Sequence, residues 1–232
     1  MPHKFPVHRY THGKQKRVIA LGTFSEMLKK IKRLHKKGSY YFVKYDVLTL
    51  QSFLAVLFWS GLRKTEVIGA KAHKYVLKPT KGPKHKEPIV KLTEAIPGIL
   101  KEDIELKGDT LFIRAVARKH GSREAPLELW VDFPFVDLII KQWKDTPKGE
   151  MLWTLTEWDA WKIVKQIEEK KYPHFFRFNR ISEMCLNPEM SMADICSWSG
   201  LTPQTIAKYM ERSGRIIHSA AEKMRKQYAK QF

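Results

Sequence analysis

At 232 residues the chain is long enough for one large domain or two small ones. Hydrophobic residues make up 43%, with seven Trp and twelve Phe, which excludes a disordered composition and supplies a real core. Forty-three Lys+Arg against 24 Asp+Glu, a net charge of +19, point to a polyanionic partner, nucleic acid first, with plain solubility charge as the alternative. Cys185 and Cys196 have no Cys-x-x-Cys or finger-like neighbours and read as reduced thiols of a cytoplasmic, DNA-associated protein. No signal peptide is visible. The longest apolar run, Leu48 to Trp59, is interrupted by Thr49, Gln51 and Ser52, so no membrane partner is expected.

Residues 1–20 carry Lys4, His8, Arg9, His12, Lys14, Lys16 and Arg17 with little apolar periodicity, and read as a basic arm. A helix starting near Phe24, capped by Thr23 or Ser25, follows, with Met27, Leu28, Ile31 and Leu34 as its stripe and Gly38 as its stop. Asp46 to Ser60 is the most hydrophobic helix, with Leu50, Phe53, Leu54, Leu57 and Phe58 at 3–4 spacing. Gly61 ends it and Leu62-Arg63-Lys64-Thr65-Glu66 turns into a short helix. An Arg in such a place serves either a structural ion pair or an anion.

The lysine-rich stretch 71–93, which includes Lys81 and Lys84, reads as a long loop or short hairpin. Strand patterns occupy Asp103 to Leu129, with turns at Lys107-Gly108-Asp109 and His120-Gly121-Ser122 and with Lys119 at the hairpin tip. Helices are then predicted from Phe133 to Lys144 and after Thr156, the latter with Trp158, Trp161, Ile163, Val164 and Ile167 as its apolar face. Three more follow: His174 to Leu186, Met192 to Trp198 capped by Ser191 and closed by Gly200, and one opened by Thr202-Pro203 that carries Tyr209. A basic amphipathic segment after Gly214 closes the chain. The fold class is mainly α with a small antiparallel β-sheet (α+β).

No internal repeat, Gly-rich phosphate loop, Cys/His metal cluster, Ser-centred nucleophile elbow or cluster of acids is evident, so neither a metal nor a nucleotide cofactor is called for. Two arginines, a histidine and a tyrosine are instead the groups needed to break a phosphodiester without a metal.

Gly61-Leu62-Arg63-Lys64-Thr65-Glu66 resembles the first signature box of the tyrosine recombinases, or phage integrases, and His174-Phe175-Phe176-Arg177 resembles the second. Gly200 to Tyr209 resembles the segment leading to the nucleophilic tyrosine, and Ala117 to Leu127 the strand–turn–strand bearing the catalytic lysine. The resemblance covers roughly residues 21–213 and implies the catalytic-domain fold of an archaeal, viral or plasmid integrase-like enzyme. It implies Arg63 and Arg177 as phosphate clamp, His174 as base, Lys119 as general acid and Tyr209 as nucleophile forming a 3′-phosphotyrosine, without metal or ATP. The partners implied are double-stranded DNA and other copies of the chain, with Arg17, Lys64, Lys81, Lys84, Arg118 and Arg180 as candidate DNA contacts.

Two features depart from the family pattern. The family has His or Trp nine residues before the tyrosine; here Gly200 stands there, and Trp198 is the candidate for that role or for core packing. The family also has an N-terminal helical domain, whereas about twenty residues precede the first helix, which implies a catalytic-domain fragment or a minimal enzyme. Segment 214–232 is expected to pack in cis or on a neighbouring subunit. The alternatives are type IB topoisomerase-like relaxation, or a DNA-binding protein of the same fold with weakened catalysis.

Overall fold

The computed structural model describes residues 19–71, 73–77, 89–93, 95–115, 127–169 and 171–213. Arg17, Lys81, Lys84, Arg118, Lys119, nearly all of the arm and the segment 214–232 lie outside these ranges.

The core is built around α3, Val47–Ser60, in which every residue from Thr49 to Ser60 is buried. Asp46 caps it, accepting from the Thr49 N–H at 2.7 Å, and Gly61 closes it at φ 61°, in the left-handed region that suits glycine. A helix buried all round must satisfy its polar side chains internally. Gln51 donates to the Leu28 carbonyl at 2.9 Å, and Ser52 accepts from Trp153 Nε1 at 2.9 Å.

Helix α1, Leu21–Lys36, packs on α3 through Phe24, Met27, Leu28 and Ile31. It begins before the expected Phe24. The reason is tertiary: Ile19 is buried and its N–H donates to Asn179 Oδ1 at 3.0 Å, so the chain enters the helix from an anchored residue and Ala20 takes the cap position. A short turn, α2 (Tyr40–Val43), precedes α3, and α4 (Lys64–Val67) follows it. The lysine-rich stretch contains a hairpin, β1 (His73–Leu77) antiparallel to β2 (Ile89–Thr93), with Tyr75 opposite Lys91.

A three-stranded antiparallel sheet, in the order β3 (Ile104–Lys107), β4 (Thr110–Ile113), β5 (Leu127–Trp130), puts Ile104, Leu111, Ile113, Leu127 and Leu129 into the core. Helix α5, Val136–Asp145, packs along α3. It starts after the expected Phe133 because Phe135 adopts φ 70°, a left-handed conformation that interrupts helical geometry. The Phe135 ring meets Phe24 edge-on at 5.2 Å.

Thr156 caps α6, Glu157–Ile167, accepting from the Asp159 N–H at 3.0 Å. Ala160, Ile163, Val164 and Ile167 form its buried face. Trp158 does not belong to that face, contrary to the sequence expectation: it is 59% exposed. Buried Asp159 instead receives bonds of 2.5 Å from both Lys44 and Tyr45. Burial pushes its pKa up, but the bonds from Lys44, Tyr45 and Thr156 outweigh that and hold the carboxyl below its ordinary value.

Helices α7 (Pro173–Leu186), α8 (Met192–Ser199) and α9 (Pro203–Ser213) complete the described chain. Their ends follow the sequence signals: Pro173 in the first turn of α7, a Ser191–Asp194 capping box on α8, Gly200 at φ 61° after it. They enclose a second, smaller core of Ile181, Met184, Cys185, Ile195, Ile206 and Met210. Trp198 packs against both cores.

Candidate active site

The site grows out of the turn that ends α3. Gly61 reverses the chain there, and Arg63 becomes the residue before α4. Glu66, three residues on, accepts from the Arg63 backbone N–H at 2.8 Å through Oε2 and from Arg63 Nη1 at 2.6 Å through Oε1. One carboxylate thus caps the short helix and holds the guanidinium. Glu66 is buried at 2% exposure, while the Arg63 side chain keeps 19% of its surface exposed.

Arg177 approaches the same carboxylate from α7, with Nη1 3.9 Å from Glu66 Oε2. Its side chain is 1% exposed. Nη1 donates to the Gly61 carbonyl and Nη2 to the Ser199 carbonyl, each at 2.8 Å. The planar guanidinium therefore ties the turn after α3 to the turn after α8. Two donors in a fixed fork suit that bridge, and a lysine could not span it in the same way.

Trp198 supports the junction from above, donating from Nε1 to the Ser60 carbonyl at 3.1 Å. Arg180 lies between two rings, its guanidinium carbon 5.1 Å from the Trp59 centroid and 5.7 Å from that of Trp198. It donates to Glu183 at 2.9 Å, and its Nε is buried without a partner. Its side chain is only 15% exposed, so it sits mostly within the fold. A Cβ added to Gly61 would lie 3.2 Å from Arg180 Cβ, so glycine serves here both the φ and the close approach of α7.

His174 is exposed on the first turn of α7, one turn before Arg177 on the same face. Tyr209 is half-buried on α9, its ring 5.3 Å from that of Phe178, the residue after Arg177. Lys64 is engaged with α6, 3.0 Å from Glu157 Oε2 and donating to the Glu157 carbonyl at 3.1 Å.

The structure thus brings together Arg63, Arg177 and Trp198 around the end of α3, with His174 on α7, which packs on α3, and Tyr209 on α9, which packs on α7. Glu66 is the partner the sequence reading passed over. Its signal was present: an acidic residue at the third helical position, which reaches back to the cap N–H. The Gly61 and Ser199 carbonyls left no side-chain signal at all. Among the described residues no group of three or more His, Cys, Asp or Glu could hold a metal ion, and no helix is long and apolar enough to cross a membrane.

The helical assembly with its three-stranded sheet has the fold of the tyrosine recombinase catalytic domain. A XerH site-specific recombinase bound to difH substrate in a pre-cleavage complex superposes with a TM-score of 0.52 over 86% of this chain, at 14% identity. Its post-cleavage complex with palindromic difH gives 0.52 over 88%, at 13% identity. The chain spans about half the length of these structures, 53% and 52%. No family model and no curated protein matches the sequence.

Proposed function

We propose that the chain is a site-specific DNA recombinase that cuts and rejoins strands through a covalent 3′-phosphotyrosine. The observation that carries this is the Arg177 bridge. It ties the turn presenting Arg63 to the turn that starts the helix bearing Tyr209, so phosphate ligands and nucleophile share one frame.

Tyr209 Oη attacks the scissile phosphorus, and the bond to the 5′-oxygen breaks. His174 takes the phenolic proton, because a group of pKa ~10 needs a base near neutrality. Lys119 returns a proton to the departing 5′-oxygen. Arg63 stabilises the charge developing on the non-bridging oxygens. Arg177 adds its positive charge to the same phosphate site while its two carbonyl bonds keep the frame together. The phosphotyrosine keeps the energy of the broken bond, so a 5′-hydroxyl can reverse the step without metal or ATP. Double-stranded DNA is the substrate, and several copies of the chain hold two sites for the strand exchange that an integrase of a mobile element performs. Arg17, Lys64, Lys81, Lys84, Arg118 and Arg180 are the candidate DNA contacts, and contacts to backbone phosphates make binding steeply salt-dependent. Trp198 supports the phosphate site through its bond to Ser60.

The test is covalent capture. A pool of nicked duplexes, randomised around the nick, is incubated with the full chain and separated under denaturing conditions. Wild type is expected to yield protein–DNA adducts, and Tyr209→Phe none. A second reading, a DNA-binding protein that does not cleave, is favoured by the near-complete burial of Arg177. It predicts salt-dependent binding with no adduct from any pool, and that outcome would overturn the recombinase reading.

A further inference from the structure

Helix α6 has a second stripe besides its buried one. Trp158, Trp161, Lys162 and Lys165 follow one another at helical spacing on its outer side. The two indoles stack with centroids 5.4 Å apart and planes 21° apart. Lys162 Nζ lies 4.6 Å from the Trp158 centroid and 5.2 Å from that of Trp161, and Lys165 Nζ is 5.8 Å from Trp161. Trp158 is nonetheless 59% exposed. A large ring left in water at that extent forgoes burial that the adjacent core could provide.

The electrostatics select the occupant. Glu157 is paired with Lys64, and buried Asp159 is paired with Lys44. Within α6 itself the remaining charges are Lys162 and Lys165, both positive, with Lys165 also donating to the Glu169 carbonyl at 2.9 Å just beyond the helix. An aromatic face rimmed by cations suits a ring joined to a phosphate better than an apolar protein surface. The location points the same way. Lys64, next to Arg63, holds Glu157, next to Trp158, so the stripe begins beside the candidate phosphate clamp. Paired bases offer only their edges, whereas an indole face stacks on an unstacked base.

We propose that this outer stripe is a stacking platform for an unpaired DNA base, with Trp158 as the stacking surface and Lys162 and Lys165 facing the flanking phosphates. Its role beside the scissile phosphate rests on the recombinase reading; its preference for unpaired strand does not. In recombination it would hold a base that must leave its old partner before the exchanged strand re-pairs.

The experiment compares two fluorescein-labelled DNAs of equal length by anisotropy at fixed salt: a fully paired duplex, and one with a short internal gap of unpaired thymidines. Wild type is expected to bind the gapped DNA more tightly. Trp158→Ala should reduce that preference roughly 5- to 150-fold, the equivalent of ~1–3 kcal/mol of base–aromatic stacking, with paired-duplex affinity unchanged. Trp158→Phe should retain most of it. Unchanged circular dichroism melts would show that the exposed substitution leaves the fold intact. Equal wild-type affinity for the two DNAs, or a preference that survives in Trp158→Ala, would overturn the proposal. So would loss of self-association on sedimentation in Trp158→Ala with the preference intact, which would mark a surface between copies. The readout needs no cleavage, so failure to form adducts would remove the recombinase reading and leave this result standing.

Discussion

The two cores of this domain hold the two halves of the candidate chemistry, and they are built differently. The larger surrounds α3 and is dense in aromatic rings, with Phe24 stacked on Phe58 at 4.2 Å and meeting Phe135 and Phe176 edge-on. It mounts Arg63. The smaller lies among α7, α8 and α9, is made of Ile, Met and Cys, and mounts Tyr209 on its rim. Rings that interlock at fixed angles resist displacement, while unbranched Met side chains adapt. Arg63 therefore stands on the stiffer body and Tyr209 on the more yielding one. On the proposed recombinase reading that division is useful, because a tyrosine nucleophile would have to approach and leave while the phosphate stays fixed. Arg177 and Trp198 join the two bodies.

Breaking the joint should have the largest effect. Arg177→Ala leaves the Gly61 and Ser199 carbonyls without this donor and removes a cation beside buried Glu66. We expect a loss of about 3–5 kcal/mol in chemical denaturation, together with loss of covalent DNA adducts. Arg177→Lys should also abolish adducts, because an ammonium lacks the planar fork.

The two cores can then be perturbed separately. Phe24→Ala should cost about 3–5 kcal/mol and lower protection from amide exchange throughout α1, α3 and α5. Ile206→Ala should cost about 2 kcal/mol and raise exchange in α8 and α9 while α3 stays protected. Equal loss of protection across both cores in the Ile206 variant would mean that they open as one unit.

The smallest effect concerns the larger core alone. Asp159 has a folded pKa held below its ordinary value, so its contribution is full above about pH 4 and is lost as pH falls through the lower, folded value. Urea midpoints of wild type and Asp159→Asn should converge as pH drops below about 4. A gap that persists into strong acid would show that the carboxylate's charge does not support the Lys44–Asp159 contact.

Much of this organisation was legible in the chain. The end of α3 could be read because Gly61 follows an apolar helix, and α6 and α8 could be read from Thr156 and Ser191. Within the described part of the Asp103 to Leu129 stretch, strands were readable because alternation survives in β4 and β5. The early start of α1 was not, since it depends on Asn179 gripping Ile19 from 160 positions away. Nor was the exposure of Trp158: its spacing from Trp161 fits a buried stripe, and only the packing of Ala160, Ile163 and Val164 shows which face turns inward.

Local chemistry is thus what the sequence by itself determined: the helix ends at Gly61 and Gly200 and the caps at Thr156 and Ser191, which residue types could handle a phosphodiester, and that Arg63, Arg177 and Tyr209 occur in that order. Tertiary structure alone decided how they are held. A sequence displays side chains, but the groups that seat Arg177 are the carbonyls of Gly61 and Ser199, which every residue type carries alike. Those acceptors acquire meaning only when packing aims them at one guanidinium, and the two bodies of the domain meet at that point.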